Sequence, residues 1–104
     1  MTMTMYRQGD VLIIRTNTKP SGTEIKRDKD RIVLAYGEVT GHAHAILERD
    51  AVLWDNGKGV RILAAKEPLK LQHEEHATIV IPPGNYRVIQ QREYSPEAIR
   101  NVQD

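Results

Sequence analysis

No apolar run in this chain lasts more than five residues before a turn-forming residue or a charge interrupts it. The longest is Ile32 to Tyr36, and runs such as Val11 to Ile14 reach four. Runs this short are rich in β-branched residues and fall below the ten or more positions a helix needs to show its 3.6-residue period, so they read as strands. Asp10-Val-Leu-Ile-Ile-Arg15 follows Gly9 and is predicted as a buried strand. Ile32–Tyr36, Ala51–Trp54, Val60–Leu63, Leu69–His73, Thr78–Ile81 and Tyr86–Gln90 continue the pattern. Asn56-Gly57 marks a hairpin, and Pro82-Pro83-Gly84-Asn85 marks a second turn. Residues 16–30, with Pro20, Ser21, Gly22 and the alternating charges from Lys26 to Arg31, cannot bury a face and read as a long exposed loop.

Only the end of the chain carries helix signals. Ser95-Pro96-Glu97 offers a hydroxyl cap, a proline at the first helical position and an acid in the first turn. The expected fold is therefore all-β, a small antiparallel barrel or sandwich with a short C-terminal helix. With 104 residues, 39% of them apolar, the chain can fill one core, so residues 1–104 are read as a single domain. A sheet of this size leaves unpaired edges, and closure or homodimerisation through an edge strand is expected.

Composition narrows the function classes. There is no cysteine, which removes disulfides, thiol nucleophiles and thiolate metal sites. Fifteen basic and fourteen acidic residues leave a formal charge of +1, which gives no bulk field for nucleic acid or for an anionic membrane surface. No run approaches the roughly 20 apolar residues of a membrane helix, and no signal-peptide core follows the start. The expectation is a cytoplasmic protein with no membrane partner, able to take a small-molecule ligand, with nucleic acid disfavoured as a partner but not excluded. Trp54 is read as core or hairpin packing rather than as a stacking platform.

All four histidines fall in two tight pairs, His42-Ala-His44 and His73-Glu-Glu-His76. Residues two apart on a strand point to one face, so His42 and His44 can aim two imidazoles at a common point. His73 and His76 can do the same only from a turn, and Glu74-Glu75 lies between two strand signals. Glu48 continues the parity of the first pair, and Glu38 lies just upstream. Imidazole and carboxylate ligands without thiolate suit a divalent transition metal such as Zn, Ni, Fe, Mn or Cu. The reading is a mononuclear site of His42, His44, His73 and His76, with Glu48 or Glu38 as a fifth ligand or as a partner to one. Two alternatives stand beside it. One is a non-enzymatic binding or regulatory module with a structural metal or a surface histidine cluster. The other is a metal-free pair of imidazoles acting as general acid and base, as in phosphodiesterases and ribonucleases.

His42-x-His44-x-x-x-Glu48 resembles the first metal motif of the cupin superfamily over the stretch from Gly37 to Glu48. That resemblance implies a small β-barrel, often dimeric, holding one Fe, Mn, Ni or Zn through two histidines, a glutamate and a histidine from a later strand. The chain departs from the cupin pattern after Pro82-Pro83-Gly84, where Asn85, Tyr86 and Arg87 stand and no histidine follows. The combination of Gly37-Glu-Val-Thr-Gly-His-Ala-His44, His73-Glu-Glu-His76 and Gln91-Arg-Glu-Tyr-Ser-Pro96 is also similar to a family of small bacterial and phage proteins without assigned activity.

Overall fold

The computed structural model describes residues 4–37 and 39–91. The expected C-terminal helix near Ser95 and the candidate Glu38 lie outside them. Among the described residues ten strands form: β1 (Met5–Gln8), β2 (Val11–Arg15), β3 (Thr23–Glu24), β4 (Ile32–Tyr36), β5 (Ala43–Ile46), β6 (Ala51–Asp55), β7 (Arg61–Ala65), β8 (Leu69–Gln72), β9 (Ile79–Ile81) and β10 (Gly84–Gln90). They build a six-stranded sheet of order β1-β2-β10-β7-β6-β3 and a four-stranded sheet of order β4-β5-β8-β9. All the strand pairs are antiparallel. Of the two expected architectures the molecule takes the sandwich, with no helix long and apolar enough to cross a membrane among the described residues.

The period-two pattern explains how the sheets meet. Leu69 and Leu71 point into the core while Lys70 points out, and on β10 Tyr86 and Val88 are buried while Arg87 is exposed. The larger sheet contributes Val11, Ile13, Leu53, Leu63, Tyr86 and Val88, and the smaller contributes Ile32, Leu34, Ile46, Leu69, Leu71 and Ile81, to one cluster. Burying each of these aliphatic side chains is worth about 1.5–3 kcal/mol. Of the two placements expected of Trp54, the structure gives the hairpin, where it stands opposite Ile62 of β7. Ala51 and Leu53 take the inward positions of β6, which turns Trp54 to the other face, half-buried and opposite Glu24 of β3.

A bulge in β4 shifts the register against β5 between Val33 and Ala35. The Leu34 carbonyl, freed from the ladder, accepts a hydrogen bond from Arg61 Nη1 of β7, so the irregularity is tied to the opposite sheet. At the passage from β9 to β10 the chain changes sheets through Pro82-Pro83, and Tyr86 anchors that crossing. Its ring is fully buried, and its hydroxyl donates to Pro82 O and accepts from Arg15 Nη1.

Tyr86→Phe keeps the ring and removes the hydroxyl, and is expected to cost about 1 kcal/mol, whereas Tyr86→Ala should cost about 3–5 kcal/mol. Urea unfolding monitored by Trp54 fluorescence measures both. Equal losses for the two variants would contradict the placement of the ring in the core.

Candidate metal centre

Three chain segments meet at one end of the sandwich. The first is the β1–β2 turn of the larger sheet. Gln8 pairs with Val11, leaving a two-residue turn in which Gly9 has φ +59°. Positive φ at the first central residue alone is the signature of a type II′ hairpin, which glycine fills at no steric cost. A Cβ at Gly9 would also stand only 3.0 Å from His76 Nε2 and 3.3 Å from His44 Cε1, so the missing side chain lets two imidazoles close over the turn. The second segment is the start of β5 with His42 and His44, and the third is the 73–78 connection from β8 to β9.

The four imidazoles adjoin one another, with His73 in the middle. Its ring centroid lies 5.7 Å from that of His42, 4.3 Å from His44 and 4.7 Å from His76, and the His44 and His76 rings are 5.8 Å apart. One ligand atom each from His42, His73 and Glu74 lies within 4.8 Å of the others. Ligands on one ion with bonds of about 2.1 Å stand roughly 3.4 Å apart at a tetrahedral centre. The trio therefore needs to close by little more than an ångström, and the exposed residues 74–77 give it room to do so.

His44 is the most constrained member. It is 3% exposed, and its Nδ1 lies 2.8 Å from Gln8 Oε1. Gln8, itself 2% exposed, donates through Nε2 to Leu71 O at 3.0 Å and Ala77 O at 2.9 Å. Turning the amide over would set its oxygen against two carbonyls, so Oε1 faces His44, and Nδ1 must carry the proton. The Nε2 lone pair then points into the site, where Asp10 Oδ1 lies 3.6 Å away. Burial holds the His44 pKa below 6.5, aided by neighbouring His73 and only partly opposed by Asp10. The ring is neutral at pH 7, the form that binds metals and accepts protons.

His73 has the opposite tautomer. Its Nδ1 accepts the Glu75 backbone N–H at 3.0 Å, so in the neutral ring the proton sits on Nε2. Glu74 accepts the Ala43 N–H at 2.9 Å through Oε1, and that bond, with smaller help from His42 and His73, holds its carboxyl below the usual range. His42 Nδ1 faces Glu75 Oε2 at 3.6 Å.

The structure thus brings His42, His44, His73 and His76 together, but places Glu48 beyond the far end of β5. There Arg27 Nη2 donates to the Glu48 carbonyl, and Glu48 Oε1 is buried without a hydrogen-bond partner. Strand parity carries no information on distance: Glu48 lies past the end of β5, four residues of extended chain and roughly 13 Å from His44. The carboxylates beside the histidines are Glu74, Glu75 and Asp10. Glu74 stands between two histidines where the sequence shows only a turn, whereas Asp10 is distant in sequence from every histidine, and only the packing of one sheet on the other brings it near. A roomier hollow of about 550 Å³ lies elsewhere, lined by residues of β4, β7 and β10 including Arg61 and Arg87, with none of the histidines in its wall.

The depressed His44 pKa has a consequence for stability. Between the folded value and the unfolded 6.5, the unfolded chain takes up a proton that the folded chain refuses. Stability of the metal-free protein should be level above about pH 6.5 and fall as the pH drops below it, and His44→Gln should flatten part of that slope. Urea unfolding from pH 7.5 to 5 measures this, and identical slopes in the two proteins would contradict the assignment.

No curated protein and no solved structure matches the chain significantly. One family model does match, over residues 7–91, a span that holds all four histidines, Gln8, Asp10 and Glu74. The chain belongs to the family described as a domain of unknown function, DUF8820.

Proposed function

We propose that this protein binds one divalent transition metal through His42, His73 and Glu74, with His44 beside the ion as a neutral base and one side of the ion open. The single observation that carries this reading is the convergence of those three donors within 4.8 Å of one another. Three protein ligands with a remaining position for water is the arrangement of catalytic rather than closed structural zinc sites. A bound ion lowers the pKa of its water, and a neutral imidazole whose lone pair faces the site is placed to take the proton. Asp10, 3.6 Å from that same nitrogen, favours the imidazolium that results.

Metal uptake also requires a change at His73. With Nδ1 accepting from Glu75, Nε2 holds a proton and cannot ligate. Ligation through Nδ1 displaces the Glu75 N–H, and ligation through Nε2 sets two donors face to face. Either route moves the 74–76 turn, all of it exposed.

Structural zinc binding of about 12 kcal/mol over four ligands corresponds to about 3 kcal/mol each, or roughly a hundredfold in affinity. Calorimetric titration of untagged protein with Zn, Ni and Mn is expected to show one ion per chain. His73→Ala should weaken binding about a hundredfold, while His44→Ala should stay within about tenfold of wild type. Equal hundredfold losses for both would instead make His44 a ligand of a closed, structural centre. No stoichiometric binding of any of the three ions would remove the reading altogether.

One observation favours a second reading. His44 presents a lone pair and His73 an N–H, on rings 4.3 Å apart, which is the complement an acid–base pair needs without a metal. Under that reading, any hydrolytic activity on a phosphodiester survives chelators, whereas under the first it is lost.

A further inference from the structure

Ala43 and Ala45 alternate with the inward-facing His44 and Ile46, so they lie on the outer face of the smaller sheet, yet they are only 2% and 6% exposed. They floor a cleft of about 340 Å³ whose walls are Arg31, Leu47, Gln72 and Thr78, and whose end is closed by His73 and Glu74. The strand pairing fixes its direction. Ile32 stands opposite Ile46 and Gln72 opposite Ala45, so Arg31 enters at the Leu47 end and His73 and Glu74 stand at the Ala43 end. The cleft follows β5 for about 13 Å.

Arg31 is prepared for an anion. Its Nε donates to Asp28 O, which fixes the root of the guanidinium, while its two terminal nitrogens make no hydrogen bond among the described residues. A planar pair of N–H donors matches a carboxylate in bidentate geometry. Gln72 and Thr78 add neutral hydrogen-bonding groups along the wall, and the alanine floor leaves space for an unbranched aliphatic stretch. The opposite end is shared with the proposed metal ligands His73 and Glu74.

We infer that this cleft binds a small, unbranched dicarboxylate, with one carboxylate on Arg31 and the other at the open side of the ion held by His42, His73 and Glu74. The inference rests on the metal reading above for its second anchor and on Arg31 alone for its first.

The test uses glutarate as the probe and zinc-loaded, untagged protein, with zinc affinity measured separately for each variant. Wild type is expected to bind glutarate in one-to-one ratio. Arg31→Gln should bind zinc as wild type does and lose glutarate affinity by roughly 10- to 100-fold, as expected for a charged hydrogen-bonded pair. Ala45→Val, which raises the floor and leaves the charge in place, should also weaken glutarate with zinc affinity kept. Glutarate bound equally well by Arg31→Gln, or not bound by zinc-loaded wild type, overturns this inference and leaves the metal site standing. Failure of wild type to take up zinc, nickel or manganese overturns the metal reading and this inference with it.

Discussion

The amide of Gln8 joins the two sheets at the end where the histidines gather. It is buried on β1 of the larger sheet, and it spends both of its hydrogens on carbonyls at Leu71 and Ala77, which flank the 73–76 segment of the smaller sheet. Its oxygen takes the Nδ1–H of His44. A buried polar group with every hydrogen bond satisfied is stabilising, and one left half-satisfied costs about 1–3 kcal/mol for each orphaned partner. That penalty makes the node all-or-none, and with it the position of the loop, the rotation of the imidazole and the nitrogen that bears the proton.

Around this node the site has an inner and an outer part with different mechanical properties. His44 is buried and held, and Gly9 and Asp10 of a tight hairpin turn stand against it. His73, Glu74 and His76 ride on a connection that is mostly exposed. Local opening is cheapest where few apolar contacts and many solvent-facing backbone groups coincide. Under the proposed reading the base is therefore fixed and the ligand-bearing loop adjustable, which is the division of labour expected of a centre that must admit an ion and then a second molecule.

Much of this fold was legible in the sequence because its signals are local. The β-branched runs at Val11–Ile14, Ile32–Tyr36 and Ala51–Trp54 became strands, and Asn56-Gly57 became a hairpin, with the Asn56 side chain accepting from Lys58 and Val60 N–H. Strand β1 was not read, since Met5-Tyr-Arg-Gln8 has neither alternation nor an apolar run and is strand only because β2 offers it a partner. The pairing of His42 with His44 followed from period two, and the grouping of all four histidines followed from their clustering. Gln8 and Asp10 were illegible for the reason that Glu48 was over-read. Strand parity states which face a side chain takes, and the packing of one sheet on the other, a long-range property, states what stands against that face.

The central claim is that His42, His73 and Glu74 hold a single ion. X-ray absorption of the untagged protein loaded with one equivalent of zinc tests it most directly. The expected result is a first shell of nitrogen and oxygen at about 2.0–2.1 Å with the outer-shell scattering of two imidazoles. That outer scattering should halve in His42→Ala and persist in His44→Ala. A shell of oxygen alone, or imidazole scattering that survives intact in His42→Ala, would contradict the account.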